Sequence, residues 1–239
     1  GETVIENAAR EPEIVQLCDA LNTMGAKIDG ISTDKIIIEG VEELQSTELD
    51  VIPDRIEAGT YLIAGAAMGE ITINYCNPNH LDVLIEKLIE AGAKVDTSKN
   101  SITIKKANPI NPVDVTTEVY PGFPTDLQAQ WIALMAIASG SSVVTDTVYH
   151  DRFTHIPELN RLGANIELHE NMATIKGVDH LIGAPVMSTD IRASAALILG
   201  AIMARGKTDI SRVYHIDRGY ELIEKKFQAL GVDIVRKND

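Results

Sequence analysis

Three aspartates and three arginines stand in this chain where charge can do chemistry. Asp54, Asp126 and Asp190 each open a long apolar segment. Arg152 and Arg218 each lie 12 residues after a glycine, Gly140 and Gly206, and each follows an aspartate, Asp151 and Asp217. Arg192 stands beside the apolar run Ala193-Ser194-Ala195-Ala196. A charge in such a setting is partly buried and needs partners. Guanidinium forks suit phosphate and carboxylate groups, so the residue types point to an anionic ligand held in a cleft.

Each of these residues also has a plainer reading. An aspartate at the start of a helix caps the free N–H groups of the first turn and complements the positive end of the helix dipole. Alternatively, helix N-termini converge on a site for anions. The second reading gains weight for Asp126, which ends Tyr120-Pro121-Gly122-Phe123-Pro124-Thr125-Asp126. Two prolines and a glycine there fix a loop, and stiff polar loops often hold substrates. For Arg152 and Arg218 the plain reading is a surface pair with the preceding aspartate, worth little energetically.

The elements that must position these residues recur as a unit. Glycines at 1, 69, 140 and 206 open four copies, and turns at Gly25-Ala26, Gly92-Ala93, Gly163-Ala164 and Gly231-Val232 follow after 24, 23, 23 and 25 residues. Self-similarity at a fixed period marks a repeat architecture. After each opening glycine an alternating stretch predicts a short strand: Thr3-Val4-Ile5, Ile71-Thr72-Ile73, Val143-Val144-Thr145 and Thr208-Asp209-Ile210. An amphipathic helix follows, with Ile14, Leu17, Cys18 and Leu21 on one face, then Leu81, Leu84, Ile85 and Leu88, and more loosely Tyr220, Ile223, Phe227 and Leu230. The turn glycine is placed to end each helix. Strands are expected after the turns at 27–29, 36–38, 101–104, 173–175 and 234–235, and Arg236-Lys237-Asn238-Asp239 reads as a C-terminus. A second kind of helix, apolar all round and so interior, is expected over 54–68, 126–139 and 190–205. The fold class is α/β, built from repeated strand-helix-strand units.

Composition excludes several functions. The net charge of −14 argues against general nucleic-acid binding. The longest strongly apolar run, about residues 195 to 204, is too short to span a bilayer. Two cysteines make no disulfide framework and favour a reducing compartment. Cys18 takes an apolar slot of its helix, and Cys76 reads as strand-end packing. His80, His150, His155, His169, His180 and His215 lack metal-ligand spacing. His155 and His215 flank the arginine loops and read as structural. No Walker-type or dinucleotide loop appears.

Five stretches carry a resemblance: Ile5-Glu6-Asn7-Ala8-Ala9-Arg10-Glu11-Pro12-Glu13-Ile14, Pro53-Asp54-Arg55-Ile56-Glu57-Ala58-Gly59-Thr60, Phe123-Pro124-Thr125-Asp126-Leu127-Gln128-Ala129-Gln130, Thr189-Asp190-Ile191-Arg192-Ala193-Ser194 and Tyr214-His215-Ile216-Asp217-Arg218-Gly219-Tyr220-Glu221. They resemble the UDP-N-acetylglucosamine enolpyruvyl transferases, over essentially the whole chain. The resemblance implies an inside-out α/β barrel fold of six repeats in two domains, four of them present here. Residues 1–50 would be the last repeat of the first domain, and 51–239 three repeats of the second, without its N-terminal segment. It implies transfer of enolpyruvyl from phosphoenolpyruvate to the 3-hydroxyl of UDP-N-acetylglucosamine with release of phosphate, in the bacterial cytoplasm, for peptidoglycan synthesis and with no cofactor or metal. By the same resemblance Asp126 takes the hydroxyl proton, Val148 contacts the nucleotide sugar through its backbone, and Asp190 is an active-site acid. Arg152, Arg192 and Arg218 meet phosphoenolpyruvate or its phosphate, with Asp126, Asp190 and Arg218 the catalytic set.

Family members also carry an N-terminal half with a cysteine-bearing loop and further Lys, Asn and Arg ligands. Neither Cys18 nor Cys76 corresponds to that loop. The chain, opening directly into a strand, is therefore expected to be a C-terminal portion, inactive without the missing half. The sister transferase acting on shikimate 3-phosphate, and a non-catalytic ligand-binding module, are the alternatives.

Overall fold

The computed structural model describes residues 1–237. The terminal pair Asn238 and Asp239, part of the expected C-terminus, lies outside the described residues. The chain opens with β1 (Glu2–Glu6), α1 (Pro12–Thr23), β2 (Lys27–Asp29) and β3 (Lys35–Glu39). A second unit holds α2 (Arg55–Met68), β4 (Glu70–Asn74), α3 (Asp82–Glu90), β5 (Lys94–Thr97) and β6 (Ser101–Lys105). A third holds β7 (Val115–Thr117), α4 (Gln128–Met135), β8 (Ser141–Asp146), α5 (Ile156–Arg161), β9 (Asn165–His169) and β10 (Met172–Lys176). The last holds β11 (Leu181–Ile182), β12 (Pro185–Met187), α6 (Ile191–Met203), β13 (Ala204–Arg205), β14 (Asp209–Ser211) and α7 (Ile223–Ala229).

The first three units share one sheet plan. The last strand of each lies between the opening strand and the post-turn strand, giving β1-β3-β2, β4-β6-β5 and β8-β10-β9, all antiparallel. Alternation sets the register: Ile102 and Ile104 on β6 are fully buried, while Thr103 between them faces out and bonds Thr72 across the sheet at 2.9 Å. The turn glycines Gly25, Gly92, Gly163 and Gly231 all have left-handed φ, from +86° to +102°. Only glycine takes that conformation without steric cost, so each ends its outer helix as expected.

Helices α2, α4 and α6 pack on one another. Leu62, Ile63, Trp131, Ile132, Leu134 and Leu197 on them are all at most 1% exposed, and burying each such side chain stabilises by about 1.5–3 kcal/mol. The approach is close. A Cβ added at Gly59 would lie 2.6 Å from a Leu127 methyl carbon, so the α2 backbone sits directly against the start of α4. The core divides in two. One large cluster runs from Ile56 to Phe227, and a small one joins Cys18, Ile28 and Ile36 within the first unit. Both cysteines are buried, Cys18 in the small cluster and Cys76 in the large one.

Several elements depart from the sequence reading. Strand β7 pairs parallel with β8 and β12 parallel with β14, so α4 and α6 are crossovers between parallel strands. A further short pair, β11 with β13, is also parallel. Of these strands β7, β11, β12 and β13 were not expected, because two or three residues are too few to show alternation. Residues 234–235 form no strand. In the other units the post-turn strand pairs with a last strand, and the fourth unit has none among the described residues. Instead the Gln228 side chain donates to the Ile234 carbonyl. Helix α7 starts at Ile223 rather than Tyr220, because Leu222 takes a left-handed φ of +45°. Among the described residues no helix is long and apolar enough to cross a membrane.

Candidate functional site

The three helix-opening aspartates divide into two kinds. Asp54 caps α2, accepting from the Ile56 and Glu57 amides at 2.7 and 3.0 Å. Asp190 caps α6, accepting from the Arg192 and Ala193 amides at 2.8 and 2.9 Å. Its other oxygen accepts from the Thr154 hydroxyl at 2.9 Å and from Thr189. Burial raises the Asp190 carboxyl pKa, but these donors outweigh it and hold it below the usual carboxylate range. Asp126 makes no capping bond. A 3-10 turn over Thr125–Leu127 precedes α4, whose first residues lack any side-chain cap. The Asp126 carboxylate is thereby turned away from the helix backbone.

It faces two arginines instead. Asp126 Oδ1 lies 2.9 Å from Arg192 Nε and 2.9 Å from Arg152 Nη1. Burial pushes the Asp126 carboxyl up, yet Arg192 and then Arg152 outweigh burial and hold it low. Arg192 is held in the reverse sense: burial lowers its pKa, and Asp126 and Tyr220 raise it further. The surface-pair reading of Arg152 with Asp151 is thus corrected. The loop geometry turns Arg152 inward to Asp126, with its guanidinium also 5.3 Å from the Tyr149 ring centre.

Arg218 is exposed and makes no ion pair or hydrogen bond among the described residues. The preceding Asp217 pairs with Arg236 at 2.6 Å, so the Asp-Arg surface pair fails here too. The adjacent Gly219 packs on the start of α6, where an added Cβ would meet Ile191 at 3.2 Å and Arg192 Nη1 at 3.8 Å. Arg218 therefore stands next to a residue packed on the start of α6, near Arg192, without touching Asp126. Val148 is exposed on the loop that carries Arg152. Its amide donates to Asp146 at 3.0 Å, which leaves the carbonyl as the backbone group open to a ligand.

Buried polar groups brace the cluster from behind. The Tyr220 hydroxyl is 2.8 Å from Thr60 Oγ1 and accepts from Gln130 Nε2 at 3.2 Å. Gln130 also donates to the Asp126 carbonyl at 3.1 Å. Residues of α2, α4 and the segment before α7 thus fix the backbone under Asp126. Burial raises the Tyr220 pKa, keeping its hydroxyl protonated. His155, 1% exposed, is pushed down to about 4 by burial and stays neutral. That fits the structural reading, as does the tilted packing of His215 on Tyr214, ring centres 4.3 Å apart.

Two features escaped the sequence reading. Arg55 is 8% exposed and grips Glu13 with two bonds, at 2.9 and 3.2 Å, joining α2 to α1. Its position beside the cap Asp54 gave no hint of a partner 42 residues away. The other is the fully buried Asp146, at the end of β8. An acid closing an apolar strand was its only signal.

A family model described as EPSP synthase (3-phosphoshikimate 1-carboxyvinyltransferase) matches residues 1–227. A UDP-N-acetylglucosamine 1-carboxyvinyltransferase from Hydrogenovibrio crunogenus is 52% identical over 240 residues, covering 100% of this chain and 57% of that protein. One of the same name from Pelodictyon phaeoclathratiforme is 53% identical over 238 residues, covering 99% and 56%. The chain thus spans 56–57% of the length of these relatives. Among solved structures, the enolpyruvyl transferase NikO from Streptomyces tendae aligns with a TM-score of 0.87 at 27% identity, over 99% of this chain and 57% of that one. EPSP synthase from Acinetobacter baumannii aligns with a TM-score of 0.74 at 18% identity, over 100% and 58%. That last likeness is one of fold alone.

Proposed function

This chain belongs to the EPSP-synthase family of enolpyruvyl transferases, on the branch of the UDP-N-acetylglucosamine 1-carboxyvinyltransferases, and from that premise we propose that it supplies the sugar-side acid and three arginines of such an enzyme. The reaction is transfer of enolpyruvyl from phosphoenolpyruvate to the 3-hydroxyl of UDP-N-acetylglucosamine, with release of phosphate, for peptidoglycan synthesis in the bacterial cytoplasm. One observation carries the reading: of three helix-opening aspartates, Asp126 alone leaves the helix backbone and faces two guanidinium groups.

The ion pairs suggest how the acid is switched. With Arg192 and Arg152 against it, Asp126 is a poor base, because the cations favour its ionised form. A phosphate or carboxylate entering the cleft competes for the same guanidinium forks. As they turn to the ligand, Asp126 loses cationic neighbours and its proton affinity rises. It can then take the proton of the sugar hydroxyl, whose oxygen adds to the substituted vinyl carbon of phosphoenolpyruvate while the methylene carbon takes a proton. Elimination returns that proton and expels phosphate. Arg152, Arg192 and the exposed Arg218 stabilise the leaving phosphate. Asp190 holds the first turn of α6, and so Arg192, in place. Addition and elimination of this kind need no metal or organic cofactor.

We assign residues 1–50 to the last repeat of a first domain and 51–239 to the second, in an inside-out barrel fold of six repeats. The two separate apolar clusters support that division. The remaining ligands, a cysteine loop among them, fall to the part of the relatives that this chain does not span. Calorimetry on a protein of the relatives' full length tests the substrate class. Binding of UDP-N-acetylglucosamine and not of shikimate 3-phosphate is expected; the reverse preference would overturn the assignment.

A further inference from the structure

The geometry points to Asp146 and Thr125 as a positioning pair that holds Arg152 against Asp126. Asp146 is fully buried, and a buried carboxylate is costly unless its oxygens are bonded. Its Oδ1 accepts from the Thr117 hydroxyl at 2.7 Å and from the Val148 and Tyr149 amides at 3.0 and 2.8 Å. Its Oδ2 accepts from the Thr125 hydroxyl at 2.7 Å. One side chain at the end of β8 therefore ties together the end of β7, the turn that carries Asp126 and the loop that carries Val148 and Arg152.

The direction of these bonds gives the pair its effect. A carboxylate only accepts, and a threonine hydroxyl has one hydrogen. With that hydrogen committed to Asp146, the Thr125 oxygen can only accept from its other neighbour. That neighbour is Arg152 Nη1, at 3.3 Å, and the same nitrogen reaches Asp126 Oδ1 at 2.9 Å. Asp146 thus orients Thr125, and Thr125 holds the Arg152 fork where Asp126 meets it. An amide at position 146 would keep its oxygen toward the three donors on the Oδ1 side. Its NH2 would then face Thr125, whose oxygen must accept from it, so the hydroxyl hydrogen is released and no longer fixes a lone pair toward Arg152. The Arg152 fork would lose its fixed acceptor and its hold against Asp126 would loosen.

The test is an NMR titration of the Asp126 carboxyl carbon in this chain, in Asp146→Asn, Thr125→Val and Thr125→Ser, with the fold checked by amide spectra. The charged groups facing Asp126 are Arg192, Arg152 and, at longer range, Glu13. The midpoint should move up in Asp146→Asn and Thr125→Val and return toward the parent value in Thr125→Ser. A midpoint unchanged in folded Asp146→Asn or folded Thr125→Val overturns the proposal, since loss of mere stability would not move it. If Asp146→Asn fails to fold, Thr125→Val decides, because it removes one of the four bonds to Asp146. No substrate enters the measurement, so its outcome stands whether or not the proposed reaction is correct.

Discussion

Asp126 and Arg192 stand at the starts of two different interior helices, and their side chains meet at 2.9 Å. The contact ties α4 to α6 and sets an acid against a cation at the starts of both helices. Because burial and the arginines act on Asp126 in opposite directions and the arginines win, its protonation reports directly on whether the pairs are intact.

That gives a stability prediction with a definite sign. The folded carboxyl is held below its ordinary value, so the unfolded chain binds the proton more readily. The ionised pair therefore stabilises the fold at pH above the ordinary aspartate value and loses that effect as pH falls through the lower, folded value. Asp126→Asn should reduce stability at pH 7 by about 1–2 kcal/mol, between exposed and buried pairs in magnitude. The gap should narrow as pH falls below the ordinary aspartate value of about 3.9 and through the lower, folded value. Urea unfolding at pH 7 and in acid checks it, and an undiminished gap in acid would show that charge is not the cause.

Arg218 should behave in the opposite way. Being exposed and unpaired among the described residues, it should change stability by less than about 0.5 kcal/mol when replaced by alanine. In a protein of the relatives' full length the same change should weaken phosphoenolpyruvate use at least tenfold. Thermal unfolding and steady-state phosphate release give the two readings. A destabilised variant with normal kinetics would make Arg218 structural.

The clamp between the first two units should be asymmetric. Arg55 is buried against Glu13, which is half exposed. Removing the exposed partner strands a buried charge, whereas removing the buried one leaves a carboxylate that water can solvate. Glu13→Ala should therefore cost about 1–2 kcal/mol and Arg55→Met less. Chemical unfolding of both variants decides, and equal costs would refute the argument.

Much of this architecture was legible in the residues. Four glycines with left-handed φ close four outer helices at the expected places, because no other residue takes that conformation cheaply. The interior helices were legible because they lack a polar face. Flanking strands of three residues were not, since pairing partners rather than pattern define them. At the site, the sequence marked Asp54, Asp126 and Asp190 alike, and only the folded geometry separates two caps from one acid facing arginines. The difference arises from the 3-10 turn that Pro124 precedes, which rotates Asp126 off the helix axis. Asp146 offered only an acid at a strand end to read, because its partners at 117, 125, 148 and 149 come from three segments.

In the proposed reaction Asp126 serves the chemistry, whereas Asp54 serves a helix. Phosphate release with UDP-N-acetylglucosamine, measured on a protein of the relatives' full length that carries Asp126→Asn or Asp54→Asn, tests it most directly. Turnover should fall roughly 100-fold or more in folded Asp126→Asn, with Asp54→Asn close to the parent once folded. Near-parent turnover for Asp126→Asn would contradict it.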